Sequence, residues 1–344
     1  MDRTELRFRN RVSWIQFILC VLVVLVHAYN IDNFQLTAEG NLATWLERFL
    51  SEELGQIAVP GFFMVSAFLF YRNFNWNQLA RKWGSRVRTL LIPYLFWNLF
   101  YYVAYLIMTH IPAIQARLER PPAALSVGEF WRAAFSYQYN SVFWFLYQLI
   151  LLVLLAPAIY VLLRNKLSGF ATLGVVFTLL MLRIDLPLLN MDALMYYLIG
   201  SILALHWEDV VRKQQSRAMA VPALLWLFLS FGIHLLSEKM QSVQLLLIYR
   251  MTFPPGIWFL LASLPLPRAG GWMKRTFIVY AIHFLIIRAL NKLAGPVLPG
   301  SSVGAILCYL LGPVLSFAAA EAADRVMGRL LPRAWAFMGG NRGR

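Results

Sequence analysis

The chain has 344 residues, 60% of them hydrophobic, and carries 31 Lys and Arg against 16 Asp and Glu, a formal charge of +15. A soluble core cannot absorb that apolar share, because ordinary globular chains are nearer half apolar. The basic residues fall in short clusters between apolar runs and not along one surface, which argues against a nucleic-acid partner and for an integral membrane protein whose charge reflects topology.

A basic stretch with Arg3, Arg7, Arg9 and Arg11 opens the sequence as a tail over 1–11. It leads into an apolar run over 12–34 that exits through His-Ala-Tyr-Asn with no small-residue cleavage site, so this run reads as a retained first helix. His27 lies inside it. At about 100° per residue, Ser13, Gln16 and Cys20 fall within roughly 40° of His27, forming one polar stripe. An intramembrane histidine is a functional-site hypothesis by default. The other reading is a neutral imidazole that hydrogen-bonds a neighbouring helix.

Further runs long enough for about 30 Å of hydrocarbon follow at 55–71, 89–109, 141–163, 169–184, 192–206, 218–236, 243–264, 275–293 and 302–324. The pattern predicts an all-α bundle of about ten transmembrane helices within 12–330 and a second basic tail at 331–344. With both termini in the cytoplasm, most of the 31 cations face inward, including Arg72, Arg81, Lys82, Arg86 and Arg88. Most acids face outward, among them Glu39, Glu47, Glu52 and Glu53. The outer loop over 110–140, with Arg117, Glu119, Arg120, Pro121, Pro122, Glu129, Trp131 and Arg132, is too short for a domain and long enough to cap a cavity. Cys20 and Cys308 both sit in apolar runs and read as packing residues. His110, His206 and His234 fall near helix ends, where solvated histidines are ordinary.

Five stretches, in order, resemble the acyltransferase-3 family of integral membrane enzymes: VLVVLVH closing on His27, VPGFFMVSAFLFY with Ala67 where glycine is common, RKWGSRVRTLLIPYLFWN, SVFWFLYQLILL and FIVYAIHF. The resemblance spans nearly the whole chain. It implies transfer of an acyl group, usually acetyl, from cytosolic acyl-CoA to a hydroxyl of an extracytoplasmic or lipid-linked saccharide, in the cell (inner or plasma) membrane. One departure concerns the position eleven residues before His27, where many members carry arginine and this chain has Gln16. Glutamine keeps a donor and gives up the charge, which Arg11 or Arg86 can supply instead.

Acyl transfer from a thioester to an alcohol needs a base, donors for the oxyanion and binding for an anionic carrier. His27 suits the base. Arg86 and Arg88 occupy the family-matching positions before Ile92-Pro93 and are expected to hold the carrier's phosphates, although a basic inner loop also exists for topology alone. His283 and Tyr280 are expected to line the donor channel or to anchor helices. Ser66, Trp144 and Gln16 are expected on the substrate side, with helix contact or interfacial anchoring as the plainer alternatives for the first two.

Fifteen residues of helix put His27 about 22 Å from the inner end of its segment, so the donor has to thread outward through the bundle. His283 lies only eight residues into its own segment, which sets it about 10 Å from His27 in depth and predicts no His–His pair. No HExxH, CxxC, P-loop or GxGxxG pattern occurs, so metal and dinucleotide cofactors have no support. Two other classes remain open. A saccharide or small-solute exporter also needs polar stripes, though no internal repeat is evident; the third is a structural or sensory subunit. Acceptor identity and oligomeric state are not legible.

Overall fold

The computed structural model describes residues 2–37, 40–112 and 123–340. Glu39 and, in the outer loop, Arg117, Glu119, Arg120, Pro121 and Pro122 lie outside the described residues. Among the described residues every regular element is helical. Seven helical runs are long and apolar enough to cross a membrane: Arg3–Ala28, Leu42–Tyr71, Trp76–Thr109, Arg217–Met240, Val243–Ser263, Thr276–Val297 and Ser302–Leu330. The remaining three predicted runs fall on a pair broken at Leu155, Ser141–Leu154 with Ala156–Leu163, and on the shorter apolar helices Lys166–Met181 and Met191–His206. The chain is a multi-pass helical membrane protein.

It divides into two compact units. The first comprises residues 1–74 and 158–323. Its central element is α1 (Arg3–Ala28), whose start is fixed by Asp2, the side chain of which accepts from the backbone N–H of Thr4. The helix begins nine residues before the apolar run and stops at Ala28, short of the predicted 34, where the chain turns through residues 31–35. The tail is helical because Glu5 ties it down. Its carboxylate meets Arg9 at 2.8 Å, Arg72 at 2.8 Å and Arg212 at 3.3 Å, while Glu208 meets the same Arg72 and Arg212 at 3.7 and 3.6 Å. This cluster pins α1 to the ends of two other segments at the base of the unit.

After α2 (Leu42–Arg48) the helix continues through a π-helical stretch at Phe49–Leu54 and a 3-10 turn at Gly55–Ile57 into α3 (Ala58–Tyr71). α3 runs antiparallel to α1: a Cβ on Gly55 would sit 2.3 Å from Val26 Cγ2, one on Gly61 would sit 2.8 Å from Leu19, and the rings of Phe68 and Phe8 lie 5.8 Å apart. Glycine at 55 and 61 is therefore a condition of close approach. This unit also holds the helices at Lys166–Met181, Met191–His206, Ala220–Met240 and Val243–Ser263, with Pro254 and Pro255 inside the last, and the parallel neighbour of α1 at Thr276–Ala294.

The second unit comprises residues 75–157 and 324–344. The helical run from Trp76 contains a π-helical segment at Val87–Leu91, which ends two residues before Pro93. Proline has no N–H and crowds the carbonyl four residues back, which here is Thr89, so the ladder widens at that turn. A short helix at Val127–Phe135 in the outer loop is capped by Ser126, whose hydroxyl accepts from the Glu129 N–H at 3.1 Å. Glu129 in turn accepts from the Tyr139 hydroxyl at 2.7 Å. Burial and that carboxylate hold the Tyr139 phenol above its ordinary range. The Trp97 indole donates to the Met338 carbonyl at 3.1 Å, tying the carboxyl-terminal segment to this unit.

Candidate active site

The site forms where α1 meets the helix Thr276–Ala294. The imidazoles of His27 and His283 are neighbours, with ring centroids 5.3 Å apart and planes inclined by 45°. This corrects the depth argument, which set them about 10 Å apart. Cys20 Sγ lies 3.7 Å from the carbonyl oxygen of Thr276, so the second helix starts level with Cys20 and not at the base of α1. From that shared level His27 is seven residues on (27 − 20) and His283 is seven residues on (283 − 276), and parallel helices bring equal steps to equal depth. The connection preceding the second helix climbs along α1: the Asn10 amide and the Trp14 indole each donate to the Pro267 carbonyl at 2.9 Å, and Trp272 packs against Phe17. That climb uses the residues that the apolar count had placed in the loop.

The two rings differ in environment. His283 is fully buried, and its Nδ1 contacts the carbonyl oxygens of Val279 at 3.1 Å and Tyr280 at 2.9 Å. Carbonyls only accept, so Nδ1 carries the proton and Nε2 presents a lone pair that no described group fills. Tyr280 stacks on His283 at 6.3 Å, as the spacing of three residues on one helix face predicts. His27 is half-buried and makes no hydrogen bond to another described residue. Phe284 meets its ring edge-on at 5.5 Å, and the exposed Arg288 guanidinium lies 4.8 Å from the centre of the same Phe284 ring. A cation thus stands one aromatic ring away from His27. Phe284 and Arg288 escaped the sequence reading, although Phe284 directly follows His283 and Arg288 lies four residues beyond Phe284 on the same helix, a spacing that was available as a signal.

On both sides of His27 the backbone is held by buried polar groups. The Ser51 hydroxyl, in the π-helical stretch, reaches the Leu25 carbonyl at 2.9 Å and the Tyr309 hydroxyl at 2.8 Å. Asn291 donates to the Ala28 carbonyl at 3.3 Å. Glu47, placed by the sequence reading among the outward-facing acids, is fully buried, and its Oε2 accepts from the Asn30 N–H at 2.8 Å. The last turn of α1 would otherwise carry open carbonyls, and these side chains fix it where the imidazole projects. His234 is likewise buried and stacks on Tyr249 at 4.6 Å, against the expectation of a solvated helix end.

Of the other predicted site residues in the first unit, Gln16 and Ser66 do not gather at the pair. Gln16 is half-buried, without a described hydrogen-bond partner, and sits eleven residues or about 16 Å below His27 on α1. Ser66 lies two residues before Phe68, whose ring packs on Phe8, so it belongs near the base of α1 and cannot donate to an acyl carbonyl held at His27. Its neighbours Met64, Val65 and Phe68 line a narrow apolar cleft of about 60 Å³ with Ile15 and Trp258. Arg86, Arg88 and Trp144 belong to the second unit; Arg86 and Trp144 are half-buried and Arg88 is exposed, its Nε donating to the Gly84 carbonyl at 3.3 Å.

A model of the acyltransferase-3 family, described as an acyltransferase domain, matches residues 9–321. No curated protein and no solved structure shows a significant match. The family match contains both helices of the imidazole pair and leaves out only the chain ends, and on that extent the protein belongs to the acyltransferase-3 family of membrane acyltransferases.

Proposed function

We propose that this membrane acyltransferase moves acetyl from cytosolic acetyl-CoA to a hydroxyl of an extracytoplasmic or lipid-linked saccharide, with His27 as general base. The observation that supports the reading is the imidazole pair on a family-matched chain. One ring is half-open and free of protein hydrogen bonds; the other is sealed, tautomer-fixed and adjacent. The Nε2 lone pair of His283 can accept an N–H from His27, which leaves the second nitrogen of His27 to take a proton. The acceptor hydroxyl then gives its proton to that nitrogen while its oxygen attacks the thioester carbonyl. The tetrahedral oxyanion collapses, the C–S bond breaks, and the proton leaves with the thiolate as CoA-SH. A positioned base of this kind contributes about 10²–10⁴-fold to rate.

The reading includes ten spans in an inner or plasma membrane with both termini in the cytoplasm. Support comes from the first unit, where segments assigned to one side by charge meet one another. Arg11 donates to the carbonyls of Val211 and Lys213, and Asn10 to that of Pro267, all inner by the charge rule; Gly300 donates to Phe34 and Tyr249 to Glu53, all outer. Arg86 and Arg88 remain the proposed phosphate ligands, and Trp144 and Gln16 remain proposed substrate-side residues.

Purified protein reconstituted in liposomes tests the reading against its competitor. Transfer of labelled acetyl from CoA to a saccharide acceptor, with no solute movement in the absence of CoA, supports the enzyme. Saccharide flux that needs no CoA, with no transfer, points to an exporter.

A further inference from the structure

At the base of the first unit, well away from the imidazole pair, lies an open-mouthed cavity of about 480 Å³. Its walls carry the cations Arg7, Arg11 and Arg217 and the amides Asn10, Gln214 and Gln215, and no carboxylate lines it. The apolar strip Leu264-Pro265-Leu266-Pro267 also lines it. The nearest acid on α1, Glu5, is already shared among Arg9, Arg72 and Arg212.

Arg11 is the unusual member. Its side chain is 1% exposed, yet its partners are all neutral: the carbonyls of Val211 and Lys213 at 3.1 to 3.4 Å, the Gln214 amide oxygen at 3.4 Å and the face of Trp258, whose ring centre lies 5.1 Å away. Its Nε has no partner. A buried guanidinium is normally paired with an anion, and no carboxylate among the described residues bonds to this one. Arg7 and Arg217 are exposed and likewise make no ion pair among the described residues. Topology alone accounts for basic residues at a membrane edge, but not for a sealed, uncompensated charge behind a basic cavity.

We propose that this cavity is a phosphate-binding site. Arg7 and Arg217 supply charge-assisted hydrogen bonds to the oxygens, the buried Arg11 supplies a fixed field from behind, and the Leu-Pro strip accommodates the base or chain attached to the phosphate. Two kinds of molecule carry that chemistry to this place: a soluble phosphorylated nucleotide and an anionic phospholipid headgroup. The cavity lining includes neither Arg86 nor Arg88, and the proposal does not depend on the role given to His27.

The test uses the full chain in nanodiscs and reads binding alone. One arm titrates adenosine 3′,5′-bisphosphate into protein in phosphatidylcholine discs. The other compares retention of phosphatidylglycerol with that of phosphatidylcholine by native mass spectrometry. Saturable binding is expected in one arm, which identifies the source, and Arg7→Gln with Arg217→Gln should weaken it by about tenfold for each guanidinium removed. Both positions are exposed, so folding is preserved, as the unchanged helical circular dichroism should confirm. Absence of saturable binding in both arms overturns the proposal, as does a double variant that binds like wild type.

Discussion

At the residue scale, His27 was legible because a titratable group inside hydrocarbon is costly enough to need a reason. Its partnership with His283 was not. The depth of a residue was counted from the start of its own apolar run, and the recess of the second helix to the level of Cys20 breaks that count. The pair carries a prediction of its own. His283→Asn, which keeps a buried polar group, should cut kcat by roughly 10-fold or more while leaving KM for the acyl donor within about 2-fold, and should move the pH–rate limb that reports the base. An unchanged pH profile with a raised KM would instead return His283 to the donor channel. Gln16 illustrates a different limit. The stripe placed it on the same helix face as His27, but about 16 Å of helix separates it from the imidazole. Gln16→Ala should therefore alter KM for the donor more than kcat; a loss confined to kcat contradicts that placement.

At the scale of elements, every predicted apolar run lands on a helix, because membrane-length hydrophobicity is a strong and local signal. The irregular segments were invisible for the same reason. A π-helical stretch at Phe49–Leu54 precedes the run at 55–71, and a break at Leu155 interrupts the run at 141–163 without changing its composition. The first of these has functional weight, since Ser51 and Gly55 hold it against the turn of α1 that presents His27. Gly55→Ala places a methyl 2.3 Å from Val26 Cγ2 and should destabilise by about 1–3 kcal/mol, with a larger relative loss of activity. Adding Val26→Ala should restore both, measured by thermal unfolding in detergent and by transfer rate. Failure of the second substitution to rescue would show that Gly55 is needed for something other than clearance.

At the scale of the whole molecule, class and family were readable from composition and from five ordered motifs, and the family match over residues 9–321 agrees. The buried polar network near His27 was not readable, because Glu47, Asn30 and Asn291 look like ordinary loop or helix-end residues until the bundle closes on them. Sidedness follows from charge bias alone and is open to a direct check. In a background with Cys20 and Cys308 replaced by alanine, Asp185→Cys should react with an impermeant maleimide in intact cells and Lys274→Cys only after permeabilisation. The reverse pattern inverts the membrane assignment and takes cytosolic acetyl-CoA away from its proposed entry. The most direct measurement is transfer of labelled acetyl from acetyl-CoA by purified His27→Ala and His27→Gln at matched protein levels. A general base at His27 predicts a fall of about 10²–10⁴-fold in both variants, and transfer at the wild-type rate in either one contradicts the account.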